Sequence, residues 1–406
     1  MNESLQEEKK FILEKIGFFI IIIIATVLNN HQFVYDEPYH LGNVDLLKQY
    51  GLTNEYLHAL NGPAGPTYAI VHFLFSPITQ LKLIPVRLVN PFLFILITWL
   101  LNKTFTQLNH KRVGWLGVAV PMTATCIGMA LTELPAVFFL TLSIYFLTRP
   151  ANPRSELIYK FFSGLSLSLA IIGRQPILLV LPFLVLMNGL SLQKLKGNII
   201  FVLASLAIPL YCFYVWGNII APRGAVAGVS GGIVMIHFLF ALGYCMLTML
   251  LIAPRFLKLS DKIRPWMLAA GILVIFIVSV ITKQEFPILN TLAQKVLPAA
   301  IHKYYPNLGF ALVVSAGLYF VLVLLVRLYE HRENRFFAFS LASCSAILFS
   351  ALSINHQFSS RYVFQAYPFM LIMAQPYLTN SKLNLITRTL GILLGIGSLI
   401  TYVFAK

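Results

Sequence analysis

The stretch Phe18-Phe19-Ile20-Ile21-Ile22-Ile23-Ile24-Ala25-Thr26-Val27-Leu28 is apolar apart from Thr26, and it runs into Tyr35-Asp36-Glu37-Pro38-Tyr39-His40. A run of this kind belongs in lipid, and two adjacent carboxylates just beyond it mark the point where the chain returns to water. Similar runs recur at 92–101, 199–210 and 311–326. About 20 apolar residues span a hydrocarbon core of about 30 Å, and lipid offers no partner to free backbone groups, so each span must be a helix. Of the 406 residues 58% are hydrophobic and only 11% charged, against about 25% charged in a soluble domain. The expected fold class is all-α, a polytopic membrane protein with residues 1–406 forming one multi-span domain.

The net charge is +16. Most of the cations fall in short loops between apolar runs, where Lys and Arg record cytoplasmic orientation, so nucleic acid is not the implied partner. Basic clusters at Lys103/Lys111/Arg112, Arg149/Arg154, Lys194/Lys196, Arg255/Lys258/Lys262/Arg264, Arg327/Arg332/Arg335 and Lys382/Arg388 alternate with pairs of spans. Counting on that basis gives about thirteen spans, near 16–30, 84–102, 113–128, 131–148, 158–173, 177–190, 199–216, 233–253, 266–282, 307–326, 336–352, 362–378 and 389–404. The amino terminus is then cytoplasmic and the carboxyl terminus outside. Glu7-Glu8-Lys9-Lys10 before the first run, with no small-residue cleavage pattern after it, predicts a retained span and not a leader. A short apolar piece at 68–78 is left over, and it is expected to be a juxtamembrane or re-entrant helix on the outer face.

The non-cytoplasmic segments are 31–83, 130–135, 173–176, 217–232, 283–306 and 353–361, and chemistry is sought there. They hold no Asn-x-Ser/Thr sequon. The four cysteines, Cys126, Cys212, Cys245 and Cys344, stand singly in apolar segments and point to neither a disulfide framework nor a zinc site.

After Asp36 and Glu37, the residues Leu41, Val44, Leu47 and Tyr50 recur at helical spacing while His40, Asn43, Asp45 and Lys48 point elsewhere. That pattern predicts an amphipathic interfacial helix with Pro38 in its first turn. Asp36 sits at the positive end of its dipole, either as a helix cap or as a carboxylate able to deprotonate a hydroxyl. Asn61-Gly62-Pro63-Ala64-Gly65-Pro66 then forms a rigid turn. Arg87 and Asn90 lie at the outer end of the next span, where the arginine either snorkels or holds a lipid phosphate. Glu133 opens a span. Gly173-Arg174-Gln175-Pro176 interrupts two apolar helices, where a guanidinium costs about 2.5–3.5 kcal/mol on insertion scales unless an anion meets it. Asn355-His356-Gln357-Phe358-Ser359-Ser360-Arg361-Tyr362 opens a later span in the same way.

Together these features resemble the GT-C superfamily of polyprenyl-phosphate-sugar glycosyltransferases. The layout is similar to the lipid A aminoarabinose transferases and the protein O-mannosyltransferases. The local text resembles the dolichyl-phosphate-glucose α-1,2-glucosyltransferases: Asp36-Glu37-Pro38-Tyr39-His40 matches their Asp-Glu-x-x-His, and Gly62-Pro63-Ala64-Gly65-Pro66 their proline-glycine turn. Val86-Arg87-Leu88-Val89-Asn90 matches Leu-Arg-x-x-Asn. Arg174-Gln175 matches their Arg-Gln, with Pro176-Ile177 in place of Thr-Asn, and Ser359-Ser360-Arg361-Tyr362 echoes Asn-Arg-His-Tyr without its histidine.

The resemblance implies a hexosyltransferase at the non-cytoplasmic face, acting without cofactor. A divalent metal is compatible but not required, since arginines can neutralise phosphate. The implied partners are a polyprenyl-phosphate-linked sugar donor, a lipid-linked glycan, lipid or protein acceptor, and membrane lipid. Asp36 with Glu37 is the implied catalytic pair. His40, Arg87, Glu133, Arg174, Gln175, His356, Arg361 and Tyr362 are the implied binders of substrate and lipid phosphate, with Arg174 and Arg361 the phosphate clamp. Direct displacement by a hydroxyl deprotonated by Asp36 gives inversion through an oxocarbenium-like state. A bacterial cytoplasmic membrane fits a chain this compact, and an endoplasmic reticulum membrane is the alternative. The rival function is a transporter or flippase of a lipid-linked or small anionic substrate. It is disfavoured because the notable charges lie at span ends, away from the midplane, and no internal repeat is found.

Overall fold

A computed structural model of the chain describes residues 19, 20, 23, 33, 36–110, 113–150, 152–189, 191–226, 232–259, 265–286, 293, 297–355, 358–379 and 381–403. Most of the expected first span and His356 lie outside the described residues. Among those described, every regular element is helical, with no β-strand. The chain divides into two compact units, Met1–Ser230 with Ile392–Lys406 and Gly231–Gly391.

The first unit contains α1 (Glu37–Tyr50), α2 (Asn54–Ala59), α3 (Thr67–Thr79), α4 (Leu83–Gln107), α5 (Pro121–Gly128), α6 (Glu133–Thr148), α7 (Pro153–Gly173), α8 (Leu181–Asn188), α9 (Leu192–Trp216) and α10 (Pro222–Val226). The second contains α11 (Met235–Ile252), α12 (Pro265–Thr282), α13 (Tyr305–Glu330), α14 (Arg335–Phe349) and α15 (Tyr367–Ala374). The last helix, α16 (Lys382–Val403), begins in the second unit and ends in the first.

Seven described helices are long and apolar enough to cross a bilayer, or eight if α5 and α6, bent by 113°, count as one broken span. Their exposed surface is apolar where lipid should lie. On α4 the exposed side chains Leu88, Phe92, Ile95 and Trp99 form one stripe, while Val89, Leu93, Phe94 and Ile97 are buried. The chain is therefore an all-α, multi-pass integral membrane protein.

Several expected spans are interrupted. The segment 113–128 is a 3₁₀ turn, Gly114–Ala119, followed by α5, and 177–190 is largely a 3₁₀ turn, Gln175–Val180, followed by α8. The segment 362–378 breaks into Arg361–Phe364, α15 and Gln375–Tyr377. Prolines explain these breaks, because Pro121, Pro176, Pro182, Pro368 and Pro376 each stand in the first turn of a new element. A missing N–H is harmless there and disruptive inside a helix. Hydropathy registers only the apolar length, not its interruption.

The expected helices of the first outer loop are present as α1 and α3. In α1, Leu41, Val44 and Leu47 are buried against Tyr56, Leu57, Tyr68 and Trp216 in one apolar cluster. Burying each such side chain is worth about 1.5–3 kcal/mol. Two positions differ from the sequence reading: Tyr50 is exposed and Asn43 is 4% exposed. Asn43 is drawn inward because its amide is engaged at both ends, donating to Asn61 O at 3.0 Å and accepting from Asn61 N at 2.8 Å. A buried amide satisfied in this way costs little.

In the second unit α11 and α13 meet through Gly243 and Gly317, where a Cβ would strike the Val313 and Leu239 carbonyls respectively. Small residues allow this backbone approach between membrane helices. At the end of α13, Arg327 donates to Phe256 O at 2.8 Å and Lys258 O at 2.7 Å and pairs with Glu330.

Candidate functional site

The first unit gathers five of the sequence motifs at one end. Asp36 occupies the N-cap position of α1, half-buried, but its side chain makes no capping hydrogen bond. The cap reading is therefore not realised, although Asp36 O accepts the His40 N–H at 3.1 Å.

Glu37, one residue on, is wholly buried. Its carboxylate takes a two-pronged grip from Arg87, with Nε to Oε1 at 2.8 Å and Nη2 to Oε2 at 2.6 Å, and Oε1 also accepts the Ala130 N–H at 2.8 Å. Both side chains are 0% exposed. Asn90, one turn along α4, donates to Cys126 O at 3.0 Å and Met129 O at 2.5 Å. The start of α1, the start of α4 and the bend between α5 and α6 are thus locked together. A buried pair must be this well satisfied to offset the desolvation of two charges.

The far side of the same bend carries Glu133, which opens α6 and pairs with Arg174 at the end of α7. Arg174 is 14% exposed and its Nε has no hydrogen-bond partner among the described residues. Gln175 Nε2 donates to Pro63 O at 2.6 Å, and the Thr67 hydroxyl donates to Leu169 O at 2.6 Å. Gly65 lies so near Ile172 O that any side chain there would collide with it. The proline-glycine turn is thereby seated on the α7–α8 break, and Arg223 holds its outer side by donating to Asn61 Oδ1 at 2.9 Å. Glu37, next to Asp36, and Glu133, the partner of Arg174, therefore meet one short bend, 129–133.

The rings of His40, Tyr68 and His72 pack in a tilted row that sequence reading did not single out. The His40 and Tyr68 centroids lie 5.3 Å apart and those of Tyr68 and His72 4.2 Å. The Tyr68 hydroxyl and both His72 ring nitrogens are buried without hydrogen-bond partners among the described residues. Burial, with His40 adding repulsion, pushes His72 down to about 3. Burial, with the Glu37 charge adding to it, holds the Tyr68 phenol well above its usual range. The available signal was a Tyr and a His four residues apart on one face of an otherwise apolar short helix.

Arg361 and Tyr362 belong to the second unit. Arg361 Nε donates to Ser359 Oγ at 3.3 Å, and the Tyr362 ring lies 6.0 Å from Phe358. Among the described residues no three His, Cys, Asp or Glu side chains form a metal-holding group.

Fold and site together define a polytopic, all-α membrane protein with a half-buried carboxylate at the start of α1 and a guanidinium at the break that follows α7. No protein-family model matches the chain, and no curated protein matches it in sequence. Among solved structures the chain is similar to ArnT from Cupriavidus metallidurans in the apo state, at 12% identity and a TM-score of 0.45, covering 97% of this chain and 78% of that one. It is likewise similar to ArnT from the same organism bound to undecaprenyl phosphate, at 12% identity and a TM-score of 0.43, covering 90% and 77%.

Proposed function

We propose that this protein is a GT-C-type membrane glycosyltransferase. It moves a sugar from a polyprenyl-phosphate donor to a hydroxyl acceptor at the non-cytoplasmic face, with inversion. The observation that carries this reading is the meeting, on one bend, of the Asp36-Glu37 motif with the Glu133–Arg174 pair.

In this reading Asp36 takes the acceptor's proton as the oxygen attacks the anomeric carbon. The bond to the donor phosphate breaks on the opposite face, and the lipid phosphate leaves as an anion. A placed base of this kind contributes about 10²–10⁴-fold. Arg174, the less buried of the two paired arginines, meets the departing phosphate, where stabilisation of developing charge is worth most. Glu133 positions Arg174 and keeps its charge paired before the donor arrives. Glu37 and Arg87 hold the backbone that presents Asp36, with Arg87 bound to Glu37 rather than to substrate. His40, its ring tilted against Tyr68, donates its backbone N–H to Asp36 O. For Arg361 and Tyr362, in the second unit, a role in binding lipid phosphate is proposed on the sequence motif alone, and single substitutions there test it separately.

The bent α5–α6 pair is also what a transporter of an anionic substrate would use, because half-helix ends point at bound ions. Product analysis separates the two. Purified protein reconstituted with polyprenyl-phosphate sugar and candidate acceptors should release lipid phosphate and form a glycosidic bond. Substrate crossing the bilayer chemically unchanged would favour the transporter.

A further inference from the structure

The opposite end of α6 and α7 carries a second polar feature that the transferase reading does not use. A cavity of about 230 Å³ opens there, lined by Phe146, Arg149, Glu156, Tyr159, Lys160 and Lys194. It lies one helix length from the Glu133–Arg174 pair, roughly 24 Å along the sixteen residues of α6.

Lys160 is the decisive residue. It lies within a span and is only 8% exposed, and among the described residues neither it nor Arg149 or Lys194 makes a side-chain hydrogen bond or close ion pair, Glu156 one turn earlier attracting Lys160 from beyond that distance. Its stem runs over Gly197 of α9, with Cγ 3.5 Å from where a Cβ would stand, which guides the ammonium towards the cavity. A buried ionisable group inside a membrane span is by default functional, with an anion as its natural partner.

The surroundings fit that partner. The Arg149 guanidinium lies over the Tyr159 ring at 4.8 Å, and Phe146 stacks on Tyr159 at 6.3 Å, so the planar fork is braced from one side. Three cations face one carboxylate, Glu156, and α7 and α9 both begin at this end with their positive dipole termini. The volume exceeds several waters at about 30 Å³ each, which is enough for a phosphate and its near substituents. The same end holds the basic clusters that place it at the cytoplasmic interface.

We infer that this cavity binds the phosphate group of an anionic molecule, with Lys160 and Arg149 as its principal contacts and Lys194 at the rim. The membrane supplies one source, a phospholipid headgroup whose chains remain in lipid, and a free phosphate is the soluble source of the same chemistry.

The test uses full-length protein in nanodiscs of phosphatidylcholine with or without phosphatidylglycerol, read by native mass spectrometry, together with a parallel titration of inorganic phosphate against thermal unfolding. Wild type should retain phosphatidylglycerol severalfold over phosphatidylcholine, and Lys160→Met and Arg149→Met should lose that preference, whereas Arg174→Ala should keep it. Stabilisation by inorganic phosphate that Lys160→Met abolishes, without lipid retention, would keep the phosphate site and assign it the soluble source. Should Lys160→Met fail to fold, Lys194→Ala at the exposed rim carries the comparison. Equal retention of both lipids with no response to phosphate, or variants indistinguishable from wild type, would overturn the inference.

Discussion

Two arginine–carboxylate pairs sit on the same bend, and they differ in one respect. The Arg87–Glu37 pair is sealed, doubly bonded and 0% exposed, whereas in the Arg174–Glu133 pair the arginine is 14% exposed and keeps an unpartnered Nε among the described residues. Both arginines looked alike in sequence, each a guanidinium at an outer span end. Burial separates them: a charge fully committed to a partner cannot also receive a leaving group, while one at a helix break with spare donors can.

The comparison breaks first at Arg87. Arg87→Ala should leave Glu37 buried and uncompensated and cost about 3–5 kcal/mol of stability, whereas Arg87→Met with Glu37→Leu should cost much less. Thermal unfolding of the purified variants checks both, and a single mutant as stable as the double would show that the pair is not desolvated. Arg174→Ala leaves Glu133, itself 1% exposed, without its cation, so it is paired with Glu133→Gln to keep the fold, and the double variant should weaken donor binding by about 1.5–3 kcal/mol, the range for a hydrogen bond to a charged group. Donor titration measures this, and unaltered affinity would reduce Arg174 to a helix-end brace.

A third effect concerns pH. His72 titrates at about 3 in the fold against 6.5 in the open chain, so it is neutral when buried and takes up a proton on unfolding. Its contribution is therefore complete above pH 6.5 and is lost progressively as pH falls towards 3. His72→Phe should flatten the stability profile across that window, and unfolding midpoints collected across it would reveal whether the slope persists. Weaker again, Asn43→Ala should cost about 1–3 kcal/mol by leaving Asn61 groups unpaired, seen as faster proteolysis of the turn at 61–66.

What sequence disclosed, and what it could not, follows from the range of each interaction. Charges in a chain with so few of them stand out, so Asp36, Arg87, Glu133 and Arg174 could be selected directly, with Gln175 taken as the neutral neighbour of Arg174. Local chemistry gave the start of α1, with Pro38 in its first turn, and the existence of α3. Partner choice was not legible, because Glu37 and Arg87 lie 50 residues apart and Asn43 and Asn61 lie 18 apart, and only the packed helices bring them together. The interruptions at Pro121, Pro176 and Pro368 were visible as residues but not as breaks, since an apolar run scores the same whether or not its helix is continuous. The expected cluster at Lys194 was legible as orientation, while Lys160, a lone cation inside an apolar run, needed the cavity to become conspicuous.

The most direct trial of the account is Asp36→Asn, an isosteric change that removes the proposed base and leaves the Glu37–Arg87 clamp in place. Glycosyl transfer by the reconstituted protein should fall by about 10²–10⁴-fold while the unfolding midpoint stays at the wild-type value. Turnover close to wild type in a folded Asp36→Asn protein would contradict the assignment of this carboxylate as the base.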